Sequence, residues 1–240
     1  VDLCKKKIFQ EEGDVGEQWI SAAFDPENKV VVACHRGRRT EKALTALVED
    51  TVERLKAPLD VLYTSDEWDP YAGALRNNLY ETVKPWPHNG PGRPCKPRKV
   101  PHRDLKYAVV HKHRQGGRVV QVTRKIVYGN EQEIMKIIEA SPVSKTINTA
   151  FIERTNLTLR EGNRRLTRKT NGFSKAARLL DCQLAVYLTH YHFVRPHGGL
   201  IKKANGQKQI HRTPFMAAGF TDRIWSMMDL LKYIPTNGKS

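Results

Sequence analysis

A helix-patterned stretch caught between strand-like runs constrains this chain most. Thr40 is placed to cap a helix, and Ala43, Leu44, Leu47, Val48, Val52 and Leu55 follow at helical spacing until Pro58 stops it. Ahead of it, residues 1–9, 18–24 and 30–34 read as strands, the last two joined by the turn-like Asp25-Pro26-Glu27-Asn28. Together they predict a meander of three antiparallel strands. Behind it, residues 60–63 form a short apolar strand closed by Thr64-Ser65-Asp66. Three strands, a helix and a further strand give a mixed α/β order in which the helix crosses over to a buried strand.

The character changes after residue 84. Six prolines (Pro85, Pro87, Pro91, Pro94, Pro97 and Pro101) alternate with Arg93, Lys96, Arg98, Lys99 and Arg103. Such a segment is an extended basic loop that cannot be helical. Residues 107–111 and 119–124 then read as a hairpin hinged at Gly116-Gly117, inserted into the main order. Glu131–Ala140 is a short helix ending before Pro142, and residues 174–192 form a longer one with Leu180, Leu184, Tyr187, Leu188 and Tyr191 in register. From Pro196 the chain is mostly loop, with a short amphipathic helix over residues 222–233.

Charge speaks about partners. The 240 residues hold 41 Lys plus Arg against 25 Asp plus Glu, a formal net charge of +16. An excess of this size is the electrostatic footprint of nucleic-acid binding, driven by release of counterions from phosphates. At 39% hydrophobic the chain can build a core, and no apolar run approaches the ~20 residues of a membrane span. Cys4, Cys34, Cys95 and Cys182 are scattered without a C-x-x-C pair, which argues against a zinc ribbon or a disulfide framework and fits a reducing cytoplasm. No secretory signal opens the chain, and Val1 in place of Met leads us to expect a natural N-terminus upstream.

Residues 147–175, INTAFIERTNLTLREGNRRLTRKTNGFSK, carry the chemistry. As one long helix at about 3.6 residues per turn, they set Glu153, Asn156, Arg160 and Arg164 on one face. Ile152, Thr155, Leu159, Gly162 and Leu166 share a packing face. On the face of Glu153 a single acid stands beside basic and polar groups, which suits a metal ion working on a phosphate backbone. Phosphodiester cleavage of that kind needs carboxylates converging from different elements around ions ~3.5–4 Å apart. Asp66 qualifies as a second acid, because ligands of α/β sheets bind beyond the C-terminal ends of strands. An aspartate after a strand is otherwise a turn or capping residue, and a helix glutamate is otherwise a solvated charge. His192, Arg195 and His197 in YHFVRPH read either as groups near such a site or as capping and packing residues. Trp68 and Trp86 read either as stacking platforms for an unpaired base or as core residues.

That block, with YHFVRPHGGL and TPFMAAGF downstream, resembles the C-terminal half of bacterial insertion-sequence transposases with a DDE triad. DVGEQWISAAFDPENKVVV and YTSDEWDPY are similar to the upstream part of that family. The resemblance implies a ribonuclease H-like mixed sheet flanked by helices, with a basic loop and β-hairpin insertion between the second and third acids. It implies a catalytic core starting in residues 1–84, the insertion at 85–130, the helical remainder of the core at 131–200 and a tail at 201–240. Its implied activity is DNA strand cleavage and strand transfer in DNA transposition and recombination, with two Mg²⁺ ions (or Mn²⁺) held by Asp2, Asp66 and Glu153. Asp14 is the rival to Asp2 as first acid, since GDV also recurs in the family. Arg160, Arg164, Arg165, Arg168 and Lys169 would grip the DNA backbone, with Arg93, Lys96, Arg98 and Lys99 as a second contact. Implied partners are transposon-end and target DNA and a homo-oligomer, with no membrane, in a nucleoid-associated cytoplasmic protein. Leu3-Cys4-Lys5 departs from the D-E-x-W pattern usual at the first acid, and the family's N-terminal zinc-binding and helix-turn-helix region has no counterpart in this sequence. Two other readings therefore stay open: a truncated or decayed transposase that binds DNA without cutting it, and a ribonuclease H-like nuclease.

Overall fold

The computed structural model describes residues 2–3, 16–84, 96–167, 174, 176–202 and 209–233, with only the backbone at 2–3 and 16–17. Strand β1 (Asp2–Leu3) pairs antiparallel with β2 (Gly16–Glu17), and β3 (Trp19–Asp25) pairs with β4 (Val30–Gly37). The predicted meander therefore exists as two separate pairs, and the remainder of its first strand lies outside the described residues. Helix α1 (Glu41–Arg54) leads to β5 (Leu62–Asp66), α2 (Pro70–Asn78), and the antiparallel pair of β6 (Tyr80–Val83) and β7 (Arg98–Pro101). Next come β8 (Lys106–Gln115), β9 (Arg118–Tyr128), α3 (Glu131–Ala140), α4 (Ala150–Gly162) and α5 (Ala177–Phe193). Two short helices, α6 (Pro214–Ala217) and α7 (Met227–Lys232), close the order. The architecture is mixed α/β.

Two compact units divide the chain: one holds Trp19–Ala23 and Ala33–Arg154, the other Val1–Gln18, Phe24–Val32 and Thr155–Ser240. In the first, β8 is the middle strand of a three-stranded mixed sheet, parallel to β5 and antiparallel to β9. Alternation along β8 sends its side chains to two cores. Tyr107 and Val109 join Leu44, Leu47 and Val48 of α1 and Ala74 and Leu75 of α2 on one face. Ala108 and Val110 join Ile134 and Ile138 of α3 and Ile147 on the other. Full burial of each such aliphatic side chain stabilises by about 1.5–3 kcal/mol, so the sheet is fixed from both faces.

This placement changes the meaning of the hairpin. The sequence reads residues 107–111 and 119–124 as an insertion, yet the first half of β8 is buried at the centre of the sheet. Only the distal part, residues 113–125, stands exposed on both strands. The turn itself is as read: Gln115 pairs with Arg118 across Gly116 and Gly117, whose φ values of 56° and 80° give a two-residue turn that suits glycine. The predicted loop is partly strand as well, since Arg98 and Lys99 lie in β7 opposite Val83 and Thr82; residues 85–95, with Arg93 and Trp86, lie outside the described residues.

Helix ends follow local chemistry. Thr40 accepts the Ala43 N–H at 3.3 Å and starts α1, and Asn130 accepts from Gln132 and Glu133 to start α3. The long helix predicted over 147–175 is shorter. It stops at Gly162, because Asn163 leaves helical geometry and its side chain accepts the Arg165 N–H to cap a single 3₁₀ turn at Arg164–Leu166. Gly162 also faces the Tyr187 ring of α5, and a Cβ there would lie 2.3 Å from that ring. Arg164 thus does not continue the face that carries Glu153 and Arg160. Within the same unit, α5 buries Leu180, Leu184, Tyr191 and His192, and Phe193 packs on Phe215 and Trp225. No helix among the described residues is long and apolar enough to cross a membrane.

Candidate active site

Asp66 is the last residue of β5 and is exposed. The parallel register sets it opposite Val110 of β8. Alternation groups Asp66 with Thr64 and Leu62, and Leu62 packs against the core of Ala108, Val110 and Ile134. Residue 66 therefore belongs to the sheet face covered by α3, at the strand's C-terminal edge. Its neighbours close the edge: Trp68 donates its backbone N–H to the Asp66 carbonyl, and Ser65 meets the Tyr107 hydroxyl at 2.7 Å. Burial pushes the phenols of Tyr71 and Tyr107 up to about 12, and the nearby Asp66 charge adds to both shifts. Those hydroxyls stay protonated donors at any ordinary pH.

Glu153 lies in the first turn of α4. Two residues along β8 from Val110, on the same face, Lys112 places its ammonium on Glu153 Oε1. The buried Thr149 donates its hydroxyl to the same oxygen at 2.8 Å. Partial burial raises the Glu153 carboxyl, but the Lys112 and Thr149 hydrogen bonds and the charges of Lys112 and Arg114 outweigh it, so the net shift is downward. Glu153 is a carboxylate at neutral pH. The approach to α4 is itself tied to the sheet, since Arg124 of β9 donates Nε–H to the Ile147 carbonyl at 2.7 Å. Asp66 and Glu153, 87 residues apart in sequence, are thus organised by one strand. Lys112, Thr149 and Arg124 do that organising, and none stands out in the sequence, because their partners are distant along the chain.

Asp14 and the Asp2 side chain lie outside the described residues, although the Asp2 backbone pairs with Glu17. Among the described residues no group of three or more His, Cys, Asp or Glu side chains is arranged to hold a metal ion. The donor chemistry nonetheless fits a hard divalent cation, which takes oxygen ligands, and Glu153 already carries a cationic group on one oxygen.

Of the cations expected to meet DNA, Arg160 and Arg164 are exposed, and Arg165 is half-buried with Nη1 3.4 Å from the Ser174 hydroxyl. Arg168 and Lys169 lie outside the described residues. Lys96 and Arg98 are exposed, and Lys99 sits 3.9 Å over the Tyr80 ring. His192 is a packing residue: its Nε2 accepts the buried Val31 N–H at 3.0 Å, and its ring stacks on Phe215 at 4.4 Å. Burial lowers its pKa to about 4, so it is neutral. His197 caps the turn at Gly198–Leu200 by accepting the Gly199 N–H. Trp68 packs edge-on against Tyr71 and lies under the Arg39 guanidinium at 4.7 Å, a core use of the ring.

No curated protein and no solved structure matches the chain. Residues 126–194, from the end of β9 through α3 and α4 to the end of α5, match the family model described as IS1 transposase, and this match supports an insertion-sequence transposase.

Proposed function

We propose that the chain is the catalytic part of a DNA transposase with a ribonuclease H-like core, cutting a DNA strand and joining the freed 3′-hydroxyl to a target strand. The observation that carries this reading is the shared framework of Asp66 and Glu153. One ends β5 opposite Val110, and the other is held by Lys112 two residues further along the same face of β8.

By the resemblance, Asp66 and Glu153 with Asp2 (or Asp14) would hold two Mg²⁺ ions. Such ions supply Lewis acidity that lowers the pKa of water and stabilises the entering and leaving oxygens of an in-line displacement. The chain's own residues prepare the site. Thr149 orients the Glu153 carboxylate, and Lys112 keeps it ionised and neutralised in the absence of other cations. Pairing of β5 with the buried first half of β8 fixes the exposed Asp66 at the end of a sheet strand. Arg160, Arg164, Arg165, Arg168 and Lys169 would contact phosphates, which position a duplex without reading its sequence. Lys96, Arg98 and Lys99, with Arg93, would add a second backbone contact. The DNA partners would be element ends and target, handled by a homo-oligomer at the nucleoid.

The test is nicking of supercoiled plasmid and joining of a labelled 3′-hydroxyl duplex to it. The wild type should do both in Mg²⁺ and neither in EDTA. Asp66→Asn and Glu153→Gln should each lose at least ~100-fold while still binding DNA, given the several kcal/mol a metal site contributes. Full activity in either variant overturns the assignment. Nicking of RNA–DNA hybrids without joining would point to the nuclease reading, and binding without any cleavage to a decayed transposase.

A further inference from the structure

We infer that the exposed arm of β8 and β9 is a binding surface for the phosphate backbone of duplex DNA, leading a strand toward Glu153. The transposase reading supplies only the identity of the polyanion; the surface itself follows from the arm. Between His111 and Tyr128 the chain has five Lys and Arg, namely Lys112, Arg114, Arg118, Arg124 and Lys125, and no Asp or Glu. An edge strand needs only a charge or two, or a bulge, to keep from pairing with another chain. This arm has the irregularity, where His113 faces Gln121 and Arg114 faces Val119 with Val120 extra. It also carries cations on both strands.

The register distributes these groups. Lys112, Arg114 and Arg124 lie on the face toward Glu153, and Arg118 and Lys125 on the other with His111 and His113. The first face is continuous with the site: Lys112 holds Glu153, and Arg114, two residues outward, is near enough to lower its pKa. Arg114 and Arg118 are exposed at the distal end, beyond the protein's own core. A second copy of the same arm is the disfavoured occupant despite exposed Val119, Val120 and Val122, because like charges would face each other across it. A phosphate backbone has the complementary charge and needs no matching sequence. Lying outside the 147–175 block, the arm is a DNA contact that the helix-based reading does not include.

The experiment measures binding of the full chain to a fluorescent duplex of about 30 base pairs by anisotropy, over about 50–300 mM NaCl. The double variant Arg114→Gln/Arg118→Gln should lower the magnitude of the log–log salt slope by about 1.8, at ~0.9 for each lost phosphate contact. At 0.15 M salt its affinity should fall by roughly 10- to 30-fold. Arg54→Gln/Arg76→Gln removes the same charge from α1 and α2 and should leave the slope near the wild-type value. Equal slopes in the wild type and the arm variant, or equal losses in the arm and control variants, overturn the proposal. Catalysis is read separately: Asp66→Asn should keep the wild-type slope. An unchanged arm slope with Mg²⁺-dependent cleavage intact defeats the arm alone, whereas a reduced slope without cleavage in the wild type defeats the catalytic reading alone.

Discussion

Acidification should loosen the anchor of α5 through His192. Its imidazole is buried, accepts the Val31 N–H at Nε2 and stacks on Phe215. Protonation would remove that acceptor and place a charge in an apolar pocket, which is why its pKa is lowered from 6.5 to about 4. The unfolded chain takes up a proton near 6.5 and the folded chain does not until about 4, so acid favours unfolding. Stability from this residue is complete above about pH 6.5 and declines as pH falls toward 4, at about 1.4 kcal/mol per pH unit. The full difference is about 3 kcal/mol, a large part of the 5–15 kcal/mol typical of a folded protein. The perturbation is His192→Gln, which keeps an acceptor for Val31 but does not titrate. Amide hydrogen exchange of the α5 peptide should be followed from pH 7.5 to 4.5, corrected for intrinsic exchange rates, alongside the histidine ring titration by NMR. In the wild type the opening free energy of α5 should drop by about 2–3 kcal/mol more than in the variant. Comparison with the variant cancels the carboxylates common to both, including Asp50, Glu153 and Asp229, whose lowered pKa values add their own acid sensitivity. Equal pH slopes in the two proteins, or a His192 that titrates near 6.5, would refute the reasoning.

Lys112→Met should tighten Mn²⁺ binding about 2- to 5-fold by calorimetry, because the exposed ion pair it removes is worth only about 0.5–1 kcal/mol; unchanged or weaker binding would show that Lys112 does not compete for Glu153. Gly162→Ala should destabilise by about 1–2 kcal/mol in urea unfolding. The new methyl displaces the Tyr187 ring and its 3.1 Å hydrogen bond to the Thr158 carbonyl, which outweighs the better helix propensity of alanine. A more stable variant would contradict the close approach.

Much of the fold was legible where signals were local. Thr40 with Leu44, Leu47 and Val48 announced α1, and the run Glu131–Ala140 ahead of Pro142 announced α3 with its observed ends. The Gly116-Gly117 turn announced its hairpin. Long-range pairing was not legible: the run Tyr-Ala-Val-Val-His suits an exposed hairpin and a buried parallel strand equally, and its pairing with β5 decides between them. Helix α2, opening on Pro70 behind Asp69, has no such local signal, because Asp69 makes no side-chain cap and Tyr71, Ala72, Ala74 and Leu75 form only a short apolar run. For the site, the acids Asp66 and Glu153 stand out as residue types in context. Lys112 and Thr149 do not, since a lysine in a basic strand and a threonine before a helix have many commoner uses. The same limit misjudged the long helix, where one glycine and one asparagine end what the periodicity would continue.

The most direct test of the metal-dependent reading replaces the Glu153 carboxylate by a thiolate and changes the ion. Glu153→Cys should abolish plasmid nicking in Mg²⁺ and recover a measurable fraction in Mn²⁺, the softer ion and the better match to sulfur. Nicking by Glu153→Cys in Mg²⁺ at the wild-type rate would contradict a direct role for Glu153 at a metal.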